Sequence, residues 1–314
     1  MRNSPSRLVS IVIPSTGRET LARAISGVRT QTISNQLEII VVFDVPFSEL
    51  HPEAVAAAEG ADLVRYTSGR MGASEARNIG VESASSPWIA FLDDDDFWLP
   101  RKLEVQLEVA RQMGVEGLVP IVGCRLNILY RNDSQKRIDA VPNRLISPSQ
   151  RIDEYLFSRR RPGAGRASFL TSTILAPTDL CRSVKWDSNL ARHQDWDWLL
   201  RAAGQPKVAF AQAAESLVDY TLGSVGSISA TSDWMSSFTW AVENRSLLTK
   251  RSFADFMCAQ TLRYAFSARD FGGAKKILKE IWANKCIPSF GPIVIGAAGI
   301  LSRRNIQRVM IRVR

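Results

Sequence analysis

Residues 88–98 read Trp88-Ile89-Ala90-Phe91-Leu92-Asp93-Asp94-Asp95-Asp96-Phe97-Trp98. Five apolar residues run straight into four carboxylates, and two aromatics close over them. A short apolar run bounded by turn-forming residues is the mark of a buried strand. Neighbouring carboxylates raise one another's pKa and repel, and an apolar setting worsens both effects. The stretch therefore predicts a strand whose carboxyl end faces something positive.

The flanking sequence supplies the sheet that such a strand needs. Leu8–Ile13 is a β-branched run closed by Pro14, Leu37–Phe43 a second strand, and Asp62–Tyr66 a third. Between them the apolar residues fall at helical spacing, as with Leu21, Ala24, Ile25 and Val28. Further helices are expected over 52–59, 73–85 and 99–111. Strand and helix alternating through short links predict right-handed crossovers and a mostly parallel sheet covered on both faces. Residues 131–166 look like a long irregular excursion with one helical piece at 152–157. A strand over 169–175, a helix over 195–203 and strands over 208–211 and 216–220 follow. From Ser232 the pattern is helical almost to the end, and no internal repeat is present. These readings divide the chain into 1–225 and a helical 226–314.

Ligands of an open parallel sheet bind beyond the carboxyl ends of its strands. Strand one ends in Pro14-Ser15-Thr16-Gly17-Arg18, strand two in Asp44, and strand four in Asp93–Asp96. Hard oxygen ligands there suit Mg²⁺ or Mn²⁺, which take one or two carboxylates and complete their shell with substrate phosphates. Along an extended segment Asp93 and Asp95 share one side, Asp94 and Asp96 the other, so a metal would take one alternate pair. No glycine-rich phosphate loop is present, since PSTGRET is neither a dinucleotide fingerprint nor a Walker sequence. Phosphate charge then falls to the metal and to arginine, with Arg77 in GASEARNIG as the candidate.

With these residues in order, the sequence resembles family 2 glycosyltransferases, the inverting nucleotide-sugar enzymes of the GT-A fold. The resemblance rests on VSIVIPSTGR, EIIVVFD, the single run GASEARNIGVESASSPWIAFLDDDDFWLPRKLEVQ, and HQDWDWLLRAAG near Asp195, and covers about residues 8–225. It implies a Rossmann-like, mostly parallel sheet flanked by helices. It also implies a nucleotide-diphosphate sugar donor and a glycan or lipid-linked glycan acceptor, as in bacterial surface polysaccharide synthesis. Asp93 and Asp95 would be the ends of a metal-binding D-x-D motif, with Asp95 the direct ligand. Pro14, Thr16, Arg18, Asp44, Arg77 and Asp94 would line the donor site, and Asp195 would be the general base. Two positions depart from the family pattern: Phe43 stands where an acid usually precedes Asp44, and Gln194 stands where Glu usually precedes Asp195.

The chemistry asks for these groups. A departing diphosphate gathers negative charge that a metal and an arginine stabilise. An attacking hydroxyl loses its proton to a positioned carboxylate. One base without a carboxylate nucleophile gives a single displacement, with inversion. Read from its place before a helix alone, Asp195 is equally an N-cap. Trp196 and Trp198 fit either a sugar platform or a core. A Mg²⁺-dependent phosphotransferase or nucleotidyltransferase is the competing enzyme class. A non-catalytic glycan- or membrane-binding module is the other alternative, against which the intact acids speak.

The 314 residues carry 40 Lys and Arg against 31 Asp and Glu, a net +9. The excess concentrates in Arg159–Arg166 and in Arg303–Arg314; nucleic acid binding has net charge alone in its favour. Four scattered cysteines and two histidines cannot make a zinc site and suit a reducing compartment. The apolar run before Pro14 is too short for a secretion signal, so a cytoplasmic location is expected. Residues 287–301, IPSFGPIVIGAAGIL, are shorter than the roughly 20 residues of a spanning helix. With the arginines after them they fit a segment lying on an anionic membrane surface, or a helix packed on its own domain.

Overall fold

The computed structural model describes residues 7–130, 133–147, 149–159, 167–223 and 233–300. The chain forms two compact units, one of residues 1–148 and 168–227, the other of 149–167 and 228–314. The short segment 149–167 thus joins the second unit rather than the first.

The first unit holds nine strands: β1 Val9–Ser15, β2 Leu37–Phe43, β3 Leu63–Tyr66, β4 Trp88–Phe91, β5 Phe97–Trp98, β6 Val119–Tyr130, β7 Asp133–Val141, β8 Leu175–Pro177 and β9 Val208–Leu222. Its helices are α1 Leu21–Arg29, α2 Pro52–Ala58, α3 Ala73–Ser83 and α4 Lys102–Val115, then α6 Thr178–Ser183 and α7 Gln194–Ala203. The strand order is β3-β2-β1-β4-β8-β6-β9-β5, with β7 on the side of β6. Strands β1 to β4 run parallel, and β6 and β9 share their direction; β5, β7 and β8 run against it. The expected α/β sheet with helical cover is present. Every residue of β1 and β2 is buried, as befits strands covered on both faces.

The middle of the chain differs from expectation. Strand β7 occupies part of the stretch read as irregular, and β6, just before it, was not expected as a strand. In β6, Pro120, Gly123, Arg125 and Asn127 interrupt the apolar run. Strand β7, DSQKRIDAV, opens on five polar residues, as sheet-edge strands often do. The expected strand over 169–175 is instead a 3₁₀ turn, Thr171–Thr173, followed by the short β8. The two strands expected over 208–220 are one strand, whose register against β6 shifts around Arg125.

The second unit is helical: α5 Ile152–Phe157, α8 Trp234–Glu243, α9 Lys250–Phe256, α10 Arg263–Ser267, α11 Phe271–Ala283 and α12 Phe290–Ala297. A π-helical turn, Met257–Leu262, joins α9 to α10. Phe157 packs edge-on against Trp240 and Phe256, which tilt against each other in its core. Side chains of Asp233, Thr249 and Asp270 cap α8, α9 and α11, closing orphan N–H groups worth about 1 kcal/mol each.

Candidate active site

The carboxyl ends of β1, β2 and β4 bring three of the sequence-selected segments together. Strand β4 ends at Phe91, and Asp93–Asp96 form a turn in which the Asp96 N–H donates to the Asp93 carbonyl at 3.1 Å. The four acids separate into alternate pairs even though the backbone is not extended. Asp94 and Asp96 are buried, 2% and 1% exposed. The Asp93 and Asp95 side chains are 33% and 15% exposed.

Each buried acid has internal partners. Asp94 accepts from Ser15 Oγ at 2.6 Å and from the Arg18 guanidinium. Asp96 accepts from Ser172 Oγ at 2.5 Å and from the Thr221 N–H at 3.0 Å. Burial pushes both carboxyls up, Asp96 well up, with the charge of Asp95 adding at both and that of Asp93 at Asp96. Asp94, expected at the donor, is turned inward to hold the β1 loop. Ser172 and Thr221 come from the 3₁₀ turn and β9. Nothing in SFLTST or DYTL singles them out, because their role appears only once those segments reach the acidic turn.

Much of the positive charge that the run demands comes from within the chain. Arg18 spans Asp94 and Asp95, its Nη1 lying 3.5 Å from Asp95 Oδ2. Arg77, on α3, is buried over the Trp186 ring at 4.7 Å. It donates to Asp93 Oδ1 at 2.8 Å and to Gln194 Oε1 at 3.0 Å. Its Nε has no hydrogen-bond partner among the described residues. Arg77 therefore ties the acidic turn to the head of α7 instead of lying open to solvent.

Asp44 is also committed to structure. Its Oδ1 accepts from Thr67 Oγ1 and the Met71 N–H, and its Oδ2 from the Gly72 N–H at 2.7 Å. Gly72 has φ +90°, a region open to glycine, and directly precedes α3. The carboxylate thus fixes the loop that aims Arg77. Pro14 is buried in β1 beside Val42, while Thr16 is exposed at the strand's mouth.

Asp195 lies one residue inside α7, so it is not the N-cap. That place belongs to His193, in the left-handed region at φ 61°, with its ring stacked on Trp196 at 4.8 Å. Asp195 Oδ1 accepts from the Trp196 N–H at 2.9 Å. Burial pushes its carboxyl up to about 6, against the pull of Arg77, and Asp93 adds to the rise. Trp198 is core, stacked on Trp186 at 5.3 Å. Asp197 pairs with Arg201. Tyr220 on β9 is an addition that the sequence did not flag: burial raises its hydroxyl pKa, and Asp96, Asp93, Asp95 and Asp195 all add to the rise.

No group of three or more Asp, Glu, His or Cys among the described residues is placed to hold a metal. The donor set is two carboxylates, Asp93 and Asp95, each with one oxygen that no described residue engages. That set fits a hard divalent ion that draws its remaining ligands from water and substrate phosphates.

Glycosyl transferase family 2 matches residues 10–166, half of the chain. The chain belongs to this family. Among curated relatives of this glycosyltransferase, the amylovoran biosynthesis glycosyltransferase AmsB of Erwinia amylovora is 26% identical over 223 residues, covering 67% of this chain and 68% of AmsB. The UDP-Glc:alpha-D-GlcNAc-diphosphoundecaprenol beta-1,3-glucosyltransferase WfgD of Escherichia coli is 35% identical over 103 residues, 32% of this chain. The chain spans only 40% of WfgD. In fold, the glycosyltransferase matches S. aureus TarS 1-349, solved in complex with UDP-GlcNAc. The TM-score is 0.62 at 12% identity, covering 88% of this chain and 81% of that one.

Proposed function

We propose that this chain transfers a sugar from a nucleotide diphosphate, a UDP-sugar, to a hydroxyl of a glycan or lipid-linked glycan, with inversion. The setting would be bacterial surface polysaccharide synthesis on the cytoplasmic side of the membrane, with the enzyme peripheral at its inner face. The carrying observation is the Arg77 bridge between Asp93 and Gln194, which sets a solvent-facing carboxylate pair beside an acid held near pKa 6. The UDP-GlcNAc bound to TarS supports a uridine donor, and the lipid diphosphate in the name of WfgD supports the acceptor class.

Asp93 and Asp95 would hold Mg²⁺ or Mn²⁺ as a D-x-D pair, and the bound ion would supply positive charge to the diphosphate leaving group. Asp195 takes the proton from the acceptor hydroxyl; a base of pKa near 6 is ionised at neutral pH yet basic enough to help. Arg77 positions Asp93 and lends its charge to the leaving side. Arg18, on Asp94 and Asp95, is a second guanidinium at that pair and would meet the phosphates with it. Thr16 and Asp44 mark the nucleotide end of the crevice.

A thermal-shift screen of UDP, GDP and ADP with and without Mn²⁺ tests the reading. Stabilisation by UDP that depends on Mn²⁺ is the expected result. Equal response to every nucleotide, or none with any, would overturn the donor assignment.

A further inference from the structure

Helix α11 buries one side and leaves a second apolar side in water. Gly273, Ala274, Ile277 and Ile281 are buried, the spacing of a helix face packed on its own unit. Phe271, Leu278 and Trp282, at i, i+7 and i+11, fall on another side and are 65%, 50% and 81% exposed. Lys275 lies within that stripe and Lys279 beside it, both exposed.

The apolar exposure continues past the helix. Ile287, in the link, is 83% exposed. In α12 the exposed residues Phe290, Ile293, Val294 and Ala297 sit at i, i+3, i+4 and i+7. The opposite side is packed: Gly291, Pro292 and Gly296 are buried, and a Cβ on Gly296 would stand 2.7 Å from the Cys258 carbonyl oxygen. The segment that the sequence reads as either interfacial or packed thus has one side packed on its own unit and one side exposed. The arginines after it lie outside the described residues.

A surface helix ordinarily turns polar residues outward, and large exposed apolar side chains in a row on two successive helices mark a binding surface. The chemistry of this one selects the partner. Residues 271–300 carry four lysines, Lys275, Lys276, Lys279 and Lys285, all exposed, against one acid, Glu280. No described helix is long and apolar enough to cross a membrane. Aromatic and aliphatic side chains interleaved with lysines, on helices too short to span, match the headgroup layer of an anionic leaflet. There Trp sits at the interface, and lysine stems lie among acyl chains while their amines reach phosphates.

We propose that the exposed stripes of α11 and α12 form a docking surface for an anionic lipid leaflet, with Trp282 and Phe290 inserted at headgroup level. The proposal rests on the membrane side of the function proposed above, but it stands or falls on lipid binding alone.

The test is co-sedimentation of the full chain with phosphatidylcholine vesicles, with and without phosphatidylglycerol. The wild type should partition onto the anionic vesicles, less so as salt shortens the Debye length. Leu278→Glu/Trp282→Glu should weaken that partition by about ten-fold or more, and Ile293→Glu/Val294→Glu likewise. All four positions are exposed, so UDP-dependent thermal stabilisation should stay unchanged in both variants. Wild type that ignores anionic vesicles, or either variant binding as wild type does, would overturn the proposal. So would a wild-type dimer that these substitutions split without any vesicle binding. Loss of the UDP response in the wild type would instead strike the proposed function and leave this surface standing.

Discussion

Arg77 and Asp93 form an ion pair of 2.8 Å in which the arginine is the buried member, its side chain 6% exposed against 33% for the carboxylate. The pair, together with Gln194, is what joins the acidic turn to α7. Arg77→Met keeps bulk over Trp186 but strips both hydrogen bonds. It should cost roughly 1.5–3 kcal/mol, the range for bonds to a charged group. Urea unfolding of Arg77→Met, Asp93→Asn and the double variant measures the coupling. Additive losses would mean that the two side chains do not act together.

The alternate pairs predict opposite phenotypes for neighbouring residues. Asp96 receives two donors, from Ser172 and Thr221, in a fully buried place. An amide oxygen at position 96 cannot serve both donors as well while its own NH₂ needs an acceptor. Asp96→Asn should therefore lose about 1–3 kcal/mol of stability, with Mn²⁺-dependent UDP binding retained in the folded fraction. Asp95→Asn should change stability by less than about 0.5 kcal/mol and abolish that binding. Denaturation curves and nucleotide titrations on the two variants check both halves. Exchanged phenotypes would reverse the assignment of the pairs.

The parallel block was legible because β1, β2 and β4 are short, mainly apolar runs rich in β-branched and aromatic residues, and the acid run at the end of β4 marked the ligand side of the sheet. Strand β7 was not legible, because among its described residues only Ile138 and Val141 of DSQKRIDAV meet the core, too few for an alternating pattern. The partners of Asp96 were equally silent. Ser172 and Thr221 are ordinary residues that matter through a fold bringing positions 76 and 125 apart in sequence onto one carboxylate. Arg77 was visible as a candidate, but its burial between Asp93 and Gln194 was not. The sequence shows an arginine on a helix, while its partners lie on two other segments.

Lys102 is fully buried in α4, its amine 3.8 Å from the Trp98 ring centroid and 2.7 Å from Gln106 Oε1. Burial pulls its pKa down to about 8. Between pH 8 and the unfolded value near 10.4, the unfolded chain binds more protons than the native one, so stability rises with pH through that window. Below pH 8 the native state carries the full cost of the buried charge, on the order of 3 kcal/mol. Lys102→Met removes that cost and forfeits about 1 kcal/mol at Gln106. The variant should be more stable than wild type at pH 7 and less stable at pH 10. Guanidinium unfolding at the two pH values reads the crossing. A constant difference would show that the amine titrates inside the fold as it does in the unfolded chain.

Asp195 carries the functional claim, and its environment allows base and structural carboxylate to be told apart. Its carboxyl stands at about 6, above the ordinary value near 3.9. Between those two values the native state binds more protons than the unfolded chain, so this group lowers stability as pH rises from 4 to 6. Asp195→Asn keeps an oxygen for the Trp196 N–H and removes the buried charge. It should match wild type near pH 4 and be more stable above pH 6. Transfer should behave in the opposite sense. In the wild type, kcat/KM should climb with pH through about 6 as the base ionises. The variant should lose roughly 10²–10⁴-fold while still binding UDP with Mn²⁺. A variant that is stabilised at neutral pH yet nearly inactive identifies a carboxylate kept at a cost for chemistry. One that transfers within a few-fold of wild type would remove Asp195 from the mechanism.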